Sequence, residues 1–528
     1  MIYEIKDKDL GGRIGKLTTK SGVIETPAFF PVINPLKQED DISVSLLKDL
    51  GLNQLITNAY IIKDKLGSAV DDVHKLLGFN GVVMTDSGAY QLLRYGPKKI
   101  SIDPVDIVKF QDSIGSDIGV IADVPTSDSA SYEEALYSVK ETLRRAAAVL
   151  DIISESKTLW VLPIQGGIYL DLVRLSAESG KDLQYFSMYA IGSPVLLMEK
   201  YNYVKVMEMI ITAKKYLPID KPLHLFGAGH PMIIPFIVAL GIDTFDSASY
   251  ILYARDDRYM TEYGTYKLKD LDYLPCECPI CSKYEIKSLI EMPKNERTRH
   301  IALHNLYVIQ REIKRVKVAI REGRLWEMLE ERGRSHPSLR SVLKIFARKD
   351  VAKFIEELDP RIKGDVHGIF LYDETSIYRP EVIRHEEFIY NHISMLKVND
   401  DVILIPAIKS EKPFRQSINY RGVLSRLNME RADVFIYLPF LTLIPLTLDY
   451  TYPYSHFEAP EDPGRGVLII LMIKLKKFIK KLVNMYRKVI VVKCNKYVWC
   501  SEKFIKRVLR HLPPNNVVVT DFCIDELF

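Results

Sequence analysis

Three of the six cysteines fall within six positions, in the run CECPIC, as Cys276, Cys278 and Cys281. Thiolates at C-x-C-x2-C spacing can converge on one soft cation, and a tetrahedral site needs one more ligand. His304 is the candidate. It lies in RTRHIALHNLYVIQREIKRVKVAIREG, whose apolar residues recur at helical spacing, so a helix would carry its imidazole back across the cysteine knuckle. His300, one turn earlier, is the rival ligand, and an incidental buried thiol cluster is the alternative without a metal. A closed Cys3His shell leaves no open coordination position, so the expected cofactor is one structural zinc ion and the chemistry must lie elsewhere. Cys494, Cys500 and Cys523 lack ligand spacing and are expected to be structural.

A second set of chemically capable residues stands just past β-prone stretches: Asn34, Asn58, Asp86, Asp123, Gln165, Gly192, Gly227 and Asp246. A lone Asp at such a position is as easily a helix N-cap, and both TDSGAYQ and FDSAS allow that reading. Three carboxylates and an amide converging on one mouth support more. Oxygen-ligand metal chemistry lacks its usual HxH or HxxxH accompaniment here. Glycosidic-bond chemistry fits better, with one carboxylate attacking an anomeric carbon and a second acting as acid and then base. Further carboxylate and amide groups suit the edge of a purine-like base.

These residues need a scaffold that brings strand ends together. Eight β-prone stretches, at 28–33, 54–57, 81–85, 118–122, 159–164, 186–191, 222–226 and 242–245, alternate with helix-compatible segments. Such alternation implies a parallel sheet, and eight units predict an α/β fold of the (β/α)8 TIM-barrel type, whose active site lies at the C-terminal strand ends. No G-x-G-x-x-G follows the first strand, which weighs against a dinucleotide fold. The expected organisation is a catalytic barrel over 1–350 with an inserted zinc subdomain at about 270–345, an accessory domain over 360–460 and a small basic α/β domain over 465–528, with EELDPRIKGD (356–365) as linker.

A 528-residue chain with 47% hydrophobic and 27% charged residues is ordinary globular material. The N-terminal run MIYEIKDKDLGGRIGKL has no signal-peptide core, and no apolar run reaches membrane-span length, so a cytoplasmic protein is expected. The formal net charge is only +4, yet Arg465 to Arg510 holds fourteen Lys/Arg against the single acid Glu502. A solvated helix face accounts for part of this. Lys476, Lys477, Lys480 and Lys481, opposite inward-facing Leu475, Phe478 and Ile479, are the best candidates for phosphate contact.

The segments TPAFFPVINP, LITNAYII, MTDSGAYQLLRYG, DIGVIADVPT, IQGGIYLDL, HLFGAGHP, GIDTFDSASYILYARDDRYM, CECPICSKY and ERTRHIALHNL together closely resemble the archaeal tRNA-guanine transglycosylase family over roughly residues 1–345. The resemblance implies exchange of guanine at position 15 of the tRNA D-loop for 7-cyano-7-deazaguanine, the first step towards archaeosine. It further implies Asp246 as covalent nucleophile on ribose C1′ and Asp86 as general acid/base, although other assignments in the family exchange these roles. Asp123 and Gln165, with Gly192, Ser193 and Ser87, would bind the base, and Tyr90 would stack on it. The family often has Phe at the Tyr90 position and Gly at the Ser193 position. Cys276, Cys278, Cys281 and His304 match its structural zinc site.

The same resemblance implies tRNA and the two bases as partners, and a homodimer formed in part by the zinc region. TYPYSHFEAPED (451–462) resembles the family's accessory region, whereas no segment matches the PUA module that grips the acceptor end in some members, so either a separate PUA protein supplies that grip or the enzyme works without it. A paralogous tRNA-binding or archaeosine-forming protein without base exchange is the alternative. A bacterial-type queuine enzyme is disfavoured by FDSASYILYA.

Overall fold

The structure, a computed structural model, describes residues 2–37, 42–91, 102–363, 368–408, 412–416, 431–512 and 516–521. The chain divides into two compact units, residues 1–345 with 359–364, and residues 346–358 with 365–528.

Eight parallel strands form the centre of the first unit. Preceded by β1 (Tyr3–Asp9), β2 (Gly12–Thr18) and β3 (Val23–Thr26), they are β4 (Ala28–Pro31), β5 (Gln54–Asn58), β6 (Val82–Asp86), β7 (Ile118–Val120), β8 (Leu159–Ile164), β9 (Met188–Ile191), β10 (Leu223–Leu225) and β11 (Thr244–Ser247). Their order is β4-β11-β10-β9-β8-β7-β6-β5. A parallel bridge from Val32 to Ile56 and a 2.8 Å hydrogen bond from Ile33 N–H to Ile56 C=O bring the two ends together as a nearly closed barrel. Each stretch anticipated from the sequence overlaps one of these strands. The physical cause is burial on both faces, which makes runs such as AFFP, LWVLPI and MYAI almost wholly apolar.

The interior is filled by inward-facing residues including Phe30, Ile56, Met84, Val120, Val161 and Met188. Tyr3, Leu17 and Ile24 of the antiparallel sheet β1–β3 join that core, so this sheet covers the end of the barrel at which the strands begin. Asp243, immediately before β11, ties the two together: it accepts hydrogen bonds from Tyr3 Oη at 2.9 Å, Arg13 Nε at 2.8 Å and Leu223 N–H at 2.8 Å. With that end closed and ion-paired, the opposite mouth is left for chemistry.

Beyond the barrel, the hairpin β12 (Arg258–Thr261) and β13 (Gly264–Lys267) leads into the cysteine loop and then the 28-residue helix Lys294–Arg321. That helix buries Ile301, Leu306, Ile309, Ile313, Val316 and Ile320 along one stripe, which fixes the direction in which His304 points. Residues 359–363 of the expected linker return to this unit, where Asp359 Oδ1 accepts from Leu10 N–H at 2.8 Å. Gly364 and Asp365 lie outside the described residues.

The second unit contains β14 (Ile369–Phe370), β15 (Asp401–Pro406), β16 (Ala432–Leu438), β17 (Thr442–Pro445), β18 (Phe457–Glu458), β19 (Lys488–Lys493) and β20 (Val517–Asp521). Five of these form one sheet in the order β17-β16-β15-β19-β20. The segments read from sequence as separate accessory and basic domains thus supply neighbouring strands, because β15 pairs in parallel with both β16 and β19. The helix Gly464–Val483 buries Leu475, Phe478 and Ile479 as its spacing predicts. Four of its five lysines have partners inside the unit: Lys474 pairs with Glu386, Lys476 donates to Arg510 C=O at 2.6 Å, Lys477 lies 3.8 Å from the Tyr390 ring centroid and Lys481 donates to Tyr390 C=O. Cys494 and Cys500 are buried, and Cys523 lies outside the described residues. Among the described residues no helix is long and apolar enough to cross a membrane.

Candidate active site and metal centre

Asp86 and Asn58 end adjacent strands and face each other in register. Asn58 Nδ2 donates to Asp86 Oδ2 at 3.2 Å, while its Oδ1 accepts Ile61 N–H at 2.9 Å and so caps the helix Ala59–Leu66. Gly88 N–H donates to Asp86 Oδ1 at 3.0 Å. Its φ of +84° is a left-handed conformation, and a Cβ there would lie 2.5 Å from Tyr60 Cβ, so the turn requires glycine. Burial pushes the Asp86 carboxyl up to about 7, against the pull of the Gly88 hydrogen bond, with the Asp123 and Asp246 carboxylates adding to the rise.

Asp123 follows β7 and is pushed up to about 6 by burial, opposed by its hydrogen bond from Gln165. Gln165 Nε2 donates to Asp123 Oδ2 at 2.5 Å, and its Oε1 accepts from Ser193 Oγ at 3.0 Å and Thr126 N–H at 3.3 Å. One amide N–H thus aims Asp123, while the amide oxygen is held from behind by Ser193 and Thr126. Gly192 lies against this amide, where a Cβ would come within 2.4 Å of Gln165 Nε2. Ser193 holds φ at +60°, a region that favours glycine and accounts for glycine at this position in the family resembled above.

Asp246 sits within β11 and is 8% exposed. Its Oδ1 takes two partners, His224 Nε2 at 3.0 Å and Gly227 N–H at 3.0 Å. Oδ2 has no hydrogen-bond partner among the described residues. Gly227 resembles Gly88 in role, with φ +72° and a backbone N–H turned onto a carboxylate.

Asp86, Asp123 and Asp246 line one cavity of about 410 Å³, together with Asn58, Tyr90 and Ser193. Gln165 and Gly192 stand behind its wall. Ser87 is fully buried, and its Oγ accepts Ala89 N–H at 3.4 Å rather than facing the cavity. Sequence reasoning passed over several cavity residues, among them Phe226, Tyr201, Tyr203, His230 and Tyr253. It also passed over His224, although a lone histidine within PLHLF, on a strand buried on both faces, was a readable signal of an inward polar contact.

The four metal-ligand candidates do come together. Cys276, Cys278, Cys281 and His304 offer ligand atoms that all lie within 4.8 Å of one another. His304 Nδ1 is 3.4 Å from Cys278 Sγ and 3.3 Å from Cys281 Sγ. Its Nε2 is 2.9 Å from Met260 C=O, an acceptor, so the ring proton resides there and Nδ1 keeps its lone pair for a cation. Tyr259 stacks on the imidazole at 3.7 Å, and its Oη contacts Cys281 Sγ at 3.2 Å. His300 is not part of the cluster, and its nearest carboxylate contact is Glu296 at 3.8 Å.

Fold and site together define a parallel-barrel enzyme with a carboxylate-lined mouth and a separate thiolate–imidazole cluster that could hold a metal. Comparison with known proteins narrows this. The sequence model of the queuine tRNA-ribosyltransferase family matches residues 7–338, and the chain belongs to that family. It is 46% identical over 506 residues to the tRNA-guanine(15) transglycosylase of Saccharolobus solfataricus, covering 94% of this chain and 97% of that protein. It is 44% identical over 497 residues to the protein of the same name from Sulfolobus acidocaldarius, covering 94% and 95%. The Methanocaldococcus jannaschii protein of that name is 42% identical over 470 residues, 87% of this chain and 69% of that protein.

Proposed function

We propose that this protein is a tRNA-guanine(15) transglycosylase that replaces guanine in tRNA with 7-cyano-7-deazaguanine by double displacement. One observation carries the reading: two carboxyl groups face the same cavity in different states of restraint. Asp246 has Oδ1 held by two N–H donors and Oδ2 without a hydrogen bond among the described residues, as suits a nucleophile. Asp86 is pushed to about 7, as suits a group that must give and take a proton near neutrality.

In the first half-reaction Asp246 Oδ2 attacks ribose C1′, the C1′–N9 bond breaks, and the Asp86 proton goes to N9 of the departing guanine. In the second, the incoming base gives its N9 proton to the Asp86 carboxylate, N9 attacks C1′, and the Asp246 ester bond breaks. Two inversions leave the configuration retained. Asp123, aimed by Gln165, would accept the N1–H and 2-amino donors that both bases share, while Ser193 and Tyr90 contribute to the walls. Gln165, Gly192 and Ser87 serve in this reading by shaping the pocket from behind.

The cysteine–histidine cluster would hold a zinc ion, with Cys276, Cys278, Cys281 and His304 Nδ1 as ligands. Such a closed site supplies stability rather than chemistry. tRNA, the two bases, a homodimeric state and a cytoplasmic location complete the proposal, with the acceptor-end grip either supplied by a separate PUA-type partner or dispensed with. Incubating the protein with unmodified tRNA and radiolabelled guanine, then mapping the label, tests it. Label at position 15 is the expected result, and chase by 7-cyano-7-deazaguanine should remove it. No incorporation, with tRNA still bound, would favour a paralogue that does not exchange bases.

A further inference from the structure

We infer that His224 is a positioning residue for the nucleophile, a role that deepens the base-exchange reading above and rests on it. His224 lies in the middle of β10, is 0% exposed, and sits between Phe30 and Phe226, whose ring centroids are 6.2 and 4.8 Å away. A histidine packed among aromatic rings must spend its polar atoms on specific partners. Both are spent on β11: Nε2 on Asp246 Oδ1 at 3.0 Å and Nδ1 on Thr244 Oγ1 at 2.9 Å.

The register of the sheet makes this arrangement. His224 is the direct parallel partner of Thr244, and Asp246 lies two residues further along β11 on the same face. A carboxylate only accepts, so Nε2 carries the proton; in the neutral ring Nδ1 then accepts from the Thr244 hydroxyl, which selects that tautomer. Gly227 N–H adds a second donor to the same oxygen.

Two consequences follow for the reaction. With Oδ1 pinned by two donors, the carboxylate cannot rotate, and Oδ2 is held towards the cavity. When Oδ2 forms the bond to C1′, Oδ1 becomes the ester carbonyl oxygen; when that bond breaks, negative charge returns to the carboxylate while His224 and Gly227 already point at it. The same two donors therefore orient the attack and stabilise the leaving carboxylate in the second half-reaction. No atom of His224 forms a bond to the substrate.

The test compares wild type with His224→Phe, His224→Gln and Thr244→Val in steady-state exchange of labelled guanine and in single-turnover formation of the covalent tRNA adduct. Phe removes the donor, Gln retains one at the reach of Nε2, and Val releases the tautomer while keeping the shape of Thr244. For His224→Phe kcat should fall on the order of 10- to 100-fold, the range of a hydrogen bond to a charged group, with KM for tRNA within about 2-fold. Gln should recover most of that loss, and Thr244→Val should lose about 3- to 10-fold. A folded His224→Phe with a kcat within about 3-fold of wild type overturns the inference. So does a Gln variant as impaired as Phe alongside Thr244→Val at the wild-type rate, since that pattern reports packing alone. Should His224→Phe not fold, Thr244→Val decides by the same criterion. Wild type that exchanges no guanine overturns the base-exchange reading itself, an outcome separate from unchanged variants of an active enzyme.

Discussion

Asn58 holds Asp86 with one end of its amide and the following helix with the other, through a 3.2 Å hydrogen bond to Oδ2 and a 2.9 Å cap on Ile61 N–H. The donor stabilises the ionised carboxylate and so opposes the rise to about 7 that burial and the neighbouring Asp123 and Asp246 produce. If protonated Asp86 is the acid of the first step, kcat should fall as pH rises through about 7. Asn58→Ala should move that alkaline limb to higher pH. A pH–rate profile of both proteins checks this, and an unmoved limb would assign it to another group.

The same shift has a stability consequence whose sign is fixed. A carboxyl with a folded value near 7 and an ordinary unfolded value near 3.8 binds more protons folded than unfolded. Its favourable contribution is full below the unfolded value and is lost as pH rises through the folded one. Asp86→Asn removes that loss. The variant should therefore be more stable than wild type at pH 8, on the order of 1 to 3 kcal/mol, with the gain disappearing towards pH 4. Thermal melts at the two pH values measure the difference.

Substitution separates the two aspartates. Asp246→Asn should reduce exchange by more than about 10⁴-fold, as loss of a nucleophile does, while tRNA affinity stays within a few-fold because phosphate contacts dominate it. Asp86→Asn should also be severely impaired, yet still able to accumulate the covalent tRNA adduct on denaturing gels. An adduct trapped in Asp246→Asn instead would reverse the assignments.

Much of this site was legible because barrel strands buried on both faces read as apolar runs, and an Asp ending such a run has few structural explanations once three of them converge. The convergence of Cys276, Cys278, Cys281 and His304 was legible from the cysteine spacing and the helical period around His304. The sheet β1–β3 was not. β1 reads YEIKDKD with most side chains exposed or half-buried, so its role in closing the barrel rests on Tyr3 and its tertiary partners rather than on any period. The basic helix was legible as amphipathic, but the ion pair, carbonyl and ring contacts of its lysines depend on Glu386, Tyr390 and Arg510, which sequence spacing does not bring near. His224 was passed over for a related reason, since its meaning lies in a cross-strand register.

The metal site should matter for folding and not for turnover. Wild type should contain about one zinc per chain, and Cys278→Ala, which alters the most buried of the three thiols, should lose it and melt more than about 10 °C lower. Elemental analysis and calorimetry on the same samples test both halves. A metal-free variant that melts with wild type and exchanges guanine normally would remove the structural assignment.

Tyr201 lines the same cavity as the three aspartates. It holds φ at +56°, a strained position for a tyrosine, and is 48% exposed, with its ring stacked on His336 at 5.3 Å and edge-on to Tyr203 at 5.7 Å. Retaining an aromatic ring in a conformation costing on the order of 1 kcal/mol makes sense if the ring is a platform for a nucleobase of the tRNA. Tyr201→Ala should then raise KM for tRNA about 10-fold or more, in line with the stacking energy of one base, and leave KM for free guanine unchanged. Tyr201→Phe should behave as wild type, since the face of the ring and not its hydroxyl makes the contact. Steady-state kinetics with each substrate varied in turn give the comparison, and equal KM values for tRNA in the Ala variant and wild type would reduce Tyr201 to a packing partner of His336.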